Sequence, residues 1–259
     1  MIKYSIILPY YKRPELKSTL VSFVYHYSNR KDYQVMVVED SKNYEDQESH
    51  NQLHNIINEF RGIINIDCIV DNVVSYCPSR KYNIGFLNTY GQFILLSNPE
   101  TPHETNILAG LDSEFDSNPN NYIVCSCKNC FLDKPIVDNF QEILNNRIDI
   151  WYQHSNIRNK LYHFCSAISR ENYIKIGGFD ERYMLGMAYD DDSLVERIKR
   201  NGINIKTRDD LISIHINHSR EYQDNKSELI TRNRDLFYKQ MDTNDFYEPN
   251  RINDRSRIC

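Results

Sequence analysis

IGGFDE at residues 176–181 and DDDSLVERIKRNG at residues 190–202 form the stretch around which this chain is organised. The first part reads as a glycine turn, and the second places three adjacent carboxylates at the start of an amphipathic helical run. Neighbouring like charges repel, although the positive end of a helix dipole partly offsets that cost. The repulsion also raises the pKa of each carboxyl group, which suits a proton acceptor near neutral pH. The alternative interpretation is an acidic helix N-terminus with Asp190 as its cap.

Length and charge limit the classes of protein to consider. The chain has 259 residues, enough for a substantial core, and a formal net charge of -5, which argues against a general binder of nucleic acid or anionic membranes. No apolar run approaches the roughly 20 residues of a membrane span. The N-terminal MIKYSIILP has no cleavage pattern and is typical of a first strand, so we expect a cytoplasmic protein without a transmembrane segment.

Three of the seven cysteines, Cys125, Cys127 and Cys130, form a C-x-C-x-x-C cluster. Such a cluster can hold zinc, but no second Cys/His pair follows at finger spacing. Cys125 and Cys127 also alternate along an apolar run that is typical of a strand. Reduced structural thiols are therefore the favoured interpretation.

Apolar runs typical of strands alternate with helical periodicities along the first half of the chain. The predicted strands cover residues 5–8, 34–38, 63–70, 92–96 and 121–126, and the predicted helices cover residues 16–27, 47–60, 79–89 and 105–115. This alternation predicts an α/β domain with a mainly parallel sheet. Ligands bind such sheets beyond the carboxyl ends of the strands, where Glu39, Asp40, Asn98 and Glu100 stand.

The second half is less regular. Residues 128–160 are polar, show no clear period and contain the only tryptophan, Trp151, for which core packing is favoured over contact with a sugar. Further strands are predicted at residues 162–169 and 211–216. We expect one domain over residues 1–241, followed by a polar tail over residues 242–259.

Six motifs in a fixed order resemble those of the GT-A fold nucleotide-sugar glycosyltransferases, most closely the family 2-like group. They are SIILPYYKRPEL (5–16), VVEDS (37–41), RKYNIG (80–85), LLSNPE (95–100), the opening stretch, and HINHSR (215–220). The opening stretch is also similar to the carboxyl-terminal motif of the β-1,4-galactosyltransferases. The resemblance implies a GT-A domain with a nucleotide-binding part at about 1–126 and an acceptor part at about 127–241.

This resemblance also implies which residues contact the nucleotide: Pro9, Tyr11, Arg13, Glu39, Asp40, Arg80, Asn83 and Asn98. An acidic residue at the second strand end reads the base in this family, since a carboxylate accepts the imide N–H of uracil. Glu39 stands where the family usually has the first Asp, so Glu39 and Asp40 are both candidates and Asp40 is favoured. Arg80 would face the base or the diphosphate.

The family's metal-binding Asp-x-Asp is replaced here by Asn98-Pro99-Glu100. Glu100 carries a charge and is the better ligand for Mn²⁺ or Mg²⁺. The resemblance implies that a histidine after the last strand completes the metal shell, with His218 the closer match and His215 in reserve. A purely structural role for these histidines is the alternative.

By the same resemblance, Asp191 is the general base and Asp190 orients the acceptor. The implied reaction is the inverting transfer of a sugar from a nucleoside-diphosphate sugar, with UDP favoured, to a hydroxyl of a glycan or another acceptor. A catalytically degenerate protein that binds a sugar nucleotide or a glycan is the alternative. A nucleotidyltransferase is disfavoured because no glycine-rich loop follows the first strand.

Overall fold

The structure is a computed structural model that describes residues 1–132, 136–218 and 225–246. Its strands are β1 (Tyr4–Tyr10), β2 (Tyr33–Asp40), β3 (Ile66–Asp71), β4 (Phe93–Ser97), β5 (Tyr122–Cys130), β6 (Arg147–Gln153), β7 (Cys165–Ser169) and β8 (Ile205–Ile216). Its α-helices are α1 (Leu16–Tyr27), α2 (Ser41–Glu45), α3 (Gln47–Phe60), α4 (Ser79–Leu87), α5 (Ile107–Ser117), α6 (Phe140–Asn146), α7 (Arg170–Lys175), α8 (Asp190–Arg200) and α9 (Lys226–Thr243). A 3₁₀ helix spans Glu181–Leu185.

All strands belong to one sheet, in the order β3-β2-β1-β4-β7-β5-β6, with β8 paired to β5. Parallel pairing joins β1 to β2 and β4, β2 to β3, and β5 to β8. Antiparallel pairing is confined to β4 with β7 and to β5 with β6 and β7. The predicted α/β domain with a mainly parallel sheet is therefore confirmed.

Helices cover both faces of the sheet, which explains why β1 is buried along its whole length. Successive side chains of a strand point to opposite faces. Ile6 and Leu8 accordingly pack in the cluster that includes residues of α1, α3 and α5, whereas Ile7 packs in the cluster with residues of α4, α7 and α8. The helix α8, which carries the three aspartates, is thus anchored to the sheet by Leu194 and Ile198.

Two parts of the chain differ from the sequence prediction. Residues 128–160 were expected to be irregular but contain α6 and β6. Trp151, for which core packing was expected, is half-buried on β6, and the Lys128 Nζ lies 5.0 Å from the centroid of its ring. The sequence analysis also assigned no element to residues 226–241, where α9 lies. Of the predicted tail, residues 242 and 243 belong to α9 and residues 247–259 lie outside the described residues.

Within the described parts of the chain, no helix combines the length and the apolar character that crossing a bilayer requires.

Gly91 lies where the chain turns into β4 and passes close to β1. A Cβ at this position would lie 2.5 Å from the Ser5 backbone nitrogen and 2.7 Å from the Tyr4 carbonyl carbon. The Gly91 N–H also donates to Ser5 Oγ at 2.8 Å. We expect Gly91→Ala to lower the free energy of unfolding by about 1–3 kcal/mol, because backbone atoms cannot move aside as a side chain can.

Chemical denaturation of Gly91→Ala beside Tyr90→Ala measures this effect. Tyr90 is the preceding residue and is 78% exposed, so its replacement should change stability little. Equal stability of Gly91→Ala and the wild type would contradict the proposed close approach.

Candidate active site

A cleft of about 260 Å³ opens beyond the carboxyl ends of β1, β2 and β4. It is lined by six of the residues singled out in the sequence: Pro9, Tyr11, Arg13, Asp40, Asn98 and Glu100. These residues come from three separate motifs. Parallel pairing brings them together because β1 lies between β2 and β4, so that all three strands end at the same edge.

Three cations line this cleft: Arg13, Lys42 and Lys81. Lys81 is buried, and its Nζ lies 2.5 Å from Asp40 Oδ2 and also donates to Ser75 Oγ. The sequence analysis singled out Arg80 and passed over Lys81. The helical period of α4 could have drawn attention to Lys81, since it is next to the buried Tyr82 and either side chain could face the sheet.

Glu39 and Asp40 follow one another on β2 and point to opposite sides. Asp40 lines the cleft, and its Oδ1 accepts a hydrogen bond of 2.9 Å from the Lys42 N–H. Glu39 is fully buried and accepts hydrogen bonds from Asn43 Nδ2 at 2.5 Å and from His50 Nδ1 at 3.0 Å. Of the two candidates, only Asp40 has the placement needed to meet a ligand in the cleft.

Arg80 and Asn83 do not line this cleft. Arg80 forms ion pairs of 3.0 Å with Asp71 and with Glu181. Asn83 is buried; its Nδ2 donates to the Phe179 carbonyl, and its Oδ1 accepts from the Phe179 N–H, each at 2.9 Å. Both side chains therefore join α4 to the segment after the double glycine, and nothing in their contacts supports the expected role in nucleotide binding.

Glu100 lies beside two histidines at the end of β8, His215 among its last paired residues and His218 just after it. Potential ligand atoms of Glu100, His215 and His218 all lie within 4.8 Å of one another. Glu100 is buried, and Asn98 Nδ2 donates to its Oε1 at 3.1 Å while Asn98 Oδ1 accepts from the Tyr82 hydroxyl at 2.8 Å. Carboxylate and imidazole donors in this arrangement fit a divalent cation, and Asn98 is placed to orient the carboxylate. Arg13 Nε stands 3.9 Å from Glu100 Oε2.

Asp191 and Asp190 begin α8, but in different environments. Asp191 is partly exposed and pairs with Nδ1 of the buried His163. Asp190 is buried, and its Oδ2 has no hydrogen-bond partner among the described residues. Tyr189, with φ of 65°, is the N-cap residue and makes no side-chain cap, so the interpretation of Asp190 as the cap is wrong. His163 was missed because it lies 28 residues before Asp191 in an apolar run, and no spacing rule connects the two.

Tyr82 connects this acidic group to the cleft. Its ring packs edge-on against His163, with centroids 4.8 Å apart, and its hydroxyl donates to Asn98 Oδ1 at 2.8 Å. The base candidate Asp191 and the metal-ligand candidate Glu100 are therefore held by one continuous set of contacts.

Burial and neighbouring charges shift the pKa values of Asp190 and His163. Burial and then the charge of Asp191 raise the pKa of Asp190 to about 7, against a lowering effect of His163. Burial by itself would lower the pKa of His163, but the charge of Asp191 and the hydrogen bond to it outweigh burial and raise this pKa above its usual value.

Comparison with known proteins agrees with this architecture. A family model described as the N-terminal domain of galactosyltransferase matches residues 147–220, which include the whole opening stretch. The structure of Staphylococcus aureus TarS 1-349 in complex with UDP-GlcNAc superposes with a TM-score of 0.64 and 14% identity, over 85% of this chain and 60% of that chain. The fold is that of the GT-A glycosyltransferases.

A second structural neighbour has the same fold. The mannosyltransferase PcManGT from Pyrobaculum calidifontis, in complex with GDP-Man and Mn²⁺, has a TM-score of 0.60 and 14% identity over 85% of this chain and 58% of its own. The chain thus spans about 60% of the length of these neighbours. No curated protein sequence matches the chain.

The raised pKa of Asp190 predicts how stability depends on pH. The folded state binds this proton more tightly than the unfolded state, whose carboxyl group has a pKa of 3.8. The contribution of Asp190 is therefore fully present at low pH and is lost as the pH rises from about 4 through about 7. We expect Asp190→Asn to flatten this decline and to raise the free energy of unfolding at pH 8 by about 1–3 kcal/mol relative to the wild type.

Denaturation curves at pH values from 5 to 8 provide the measurement, with Asp67→Asn on the exposed face of β3 as the matched control. If Asp190→Asn and the wild type lose stability in parallel over this range, Asp190 is not the buried acid that the geometry indicates.

Proposed function

We propose that this protein is an inverting glycosyltransferase that moves a sugar from a nucleoside-diphosphate sugar to an acceptor hydroxyl. The observation that carries this proposal is the cleft itself. Three cations and Glu100 line it, and Glu100 also belongs to the Glu/His/His cluster. Contacts through Asn98 and Tyr82 link Glu100 to His163, which pairs with Asp191. A diphosphate needs cations and a divalent metal, and an attacking hydroxyl needs a base.

The donor would lie along the cleft wall formed by β1, β2 and α4. Asp40 accepts a hydrogen bond from the Lys42 N–H and pairs with Lys81. The remaining lone pairs of its carboxylate can accept a hydrogen bond from an N–H group of the nucleotide base. Arg13 presents a planar guanidinium that matches phosphate oxygens. Tyr11 and Pro9 line the same cleft and supply surface for the base or the ribose. UDP is the nucleotide we would test first.

Glu100, His215 and His218 would hold a divalent cation, and we favour Mn²⁺ because two imidazoles suit it better than Mg²⁺. When bound, this ion neutralises negative charge on the departing diphosphate. Asn98 fixes the orientation of Glu100 for that purpose, which gives a role to the residue that replaces the family's first acid.

Asp191 would accept the proton of the acceptor hydroxyl as its oxygen bonds to the anomeric carbon. The bond from that carbon to the diphosphate oxygen breaks with its electron pair, so the nucleoside diphosphate leaves and the configuration inverts. The His163 ring holds one oxygen of Asp191, which leaves the other for the acceptor. Asp190, protonated more readily because it is buried, can donate a hydrogen bond that orients the acceptor.

Replacement of the base separates this function from binding without catalysis. We expect Asp191→Asn to reduce transfer at least about 10³-fold while the donor still raises the melting temperature, because the cleft cations are unchanged. The assay is a panel of UDP-sugars and GDP-mannose, with nucleotide release and thermal stabilisation measured in parallel. Asp192→Asn, the same substitution on the adjacent, exposed side chain, is the matched control.

A donor that binds to both proteins but releases nucleotide from neither identifies a sugar-nucleotide-binding protein instead. If wild type and Asp191→Asn turn over equally fast, another residue is the base.

The metal cluster makes a separate prediction. Mn²⁺ is expected to bind to the wild type, and both Glu100→Gln and His218→Gln should weaken its binding at least about tenfold, or roughly 1.4 kcal/mol, because the first removes the charge of one ligand and the second removes an imidazole. Electron paramagnetic resonance of free Mn²⁺ measures this without any substrate. His26→Gln, on α1, serves as the control. Unchanged Mn²⁺ affinity in both ligand variants would exclude this cluster as the site.

A further inference from the structure

A second group of metal-ligating side chains lies between α3 and the edge of the sheet, on the side of β2 away from the cleft. It consists of Glu39 on β2, His54 on α3 and Cys68 on β3, whose potential ligand atoms all lie within 4.8 Å of one another. We propose that these three residues form a zinc site, distinct from the Glu/His/His cluster of the candidate active site.

The folding pattern explains why these residues meet. Cys68 pairs with Val37 in the parallel ladder, two residues before Glu39 on the same face of β2. His50 and His54 are four residues apart on α3, which places them on one side of that helix, with ring centroids 4.3 Å apart. The helix α3 therefore brings two imidazoles over a thiol and a carboxylate.

Charge favours a cation at this position. Glu39 is fully buried, and its ion-pair partners among the described residues are His50 Nδ1 at 3.0 Å and His54 Nε2 at 3.9 Å, which are charged only when protonated. A buried carboxylate is costly without a compensating charge. Zn²⁺ bound by the Glu39 carboxylate, the Cys68 thiolate and neutral His54 makes a site with no net charge. The thiol proton of Cys68 is released to solvent when the metal binds.

The donor set and spacing select zinc over harder ions. Cysteine, histidine and glutamate are its ordinary ligands, with bonds of about 2.0–2.3 Å, so ligand atoms lie about 3.3–3.8 Å apart in a tetrahedral site. The 3.9 Å between His54 Nε2 and Glu39 Oε2 is close to that spacing. His50 and Asn43, which both contact the Glu39 carboxylate, orient it from outside in the way that partners of metal ligands do.

Such a site would tie α3 to β2 and β3 directly behind the Asp40 wall of the cleft. It also accounts for a glutamate at a position where the resemblance leads one to expect aspartate, since the longer side chain reaches His50 and His54. This inference does not depend on the proposed function.

The test uses the full chain freed of metal with a chelator and titrated with Co²⁺ and Zn²⁺. We expect Co²⁺ at this site to give a thiolate charge-transfer band, Zn²⁺ to displace that Co²⁺, and Cys68→Ser and His54→Gln each to weaken the binding that produces the band at least about 100-fold. His218→Gln, which changes the other metal cluster, should keep the band. Circular dichroism of each variant reports whether it folds.

A second measurement needs no variant. Among the described cysteines, Cys68 is the one that is not fully buried, so its alkylation, followed by peptide mapping, should be slowed at least about tenfold by stoichiometric Zn²⁺. Alkylation of Cys68 that zinc does not slow, or a cobalt band that persists in Cys68→Ser, would overturn the proposal.

Discussion

The turn that contains the double glycine joins α4 to α8, and two buried side chains satisfy the hydrogen-bonding groups of its backbone. Gly177 and Gly178 have positive φ values of 73° and 64°, which glycine adopts without a steric cost. Arg197 from α8 donates to the carbonyls of Ile176 and Gly178. Asn83 from α4 bonds both the N–H and the carbonyl of Phe179. Without these partners the turn would bury unpaired polar groups, and neither α4 nor α8 would have a defined place.

The loop between that turn and α8 is held from the other side by α9. Ala188 and Tyr189 both have positive φ, a conformation that costs free energy in residues with a side chain. Asn233 of α9, fully buried, donates to the carbonyls of Tyr183 and Ala188 at 3.0 and 2.9 Å. These bonds fix the point at which α8 begins, and with it the direction of the Asp190 and Asp191 side chains. A helix outside the matched motifs thus positions the acidic group.

In the candidate site, acidic side chains pair with basic ones. The differences in pairing allow these residues to take different chemical roles. Asp40 is compensated by Lys81, and Asp191 by His163. Asp190 forms no ion pair with the residues that the structure describes, and its pKa is raised to about 7. Two adjacent aspartates therefore lie in different environments, because Asp191 faces a buried imidazole and Asp190 faces a desolvated interior.

Sequence patterns were enough to predict the fold class, most element positions in the first half, and the set of polar residues at the strand ends. Those signals are local: alternation, helical period and a few motifs with Gly, Pro and Asp at set spacing. Those signals favoured Asp40 over Glu39 but left both as candidates, because the face that a strand residue points to depends on where the sheet and helices lie. Sequence patterns also passed over Lys81, His163 and α9, and they gave no sign of the contacts that Arg80 and Asn83 make with the segment after the double glycine. These points depend on the tertiary structure, since each rests on a contact between residues far apart in the chain, and burial and pairing of charges follow from such contacts.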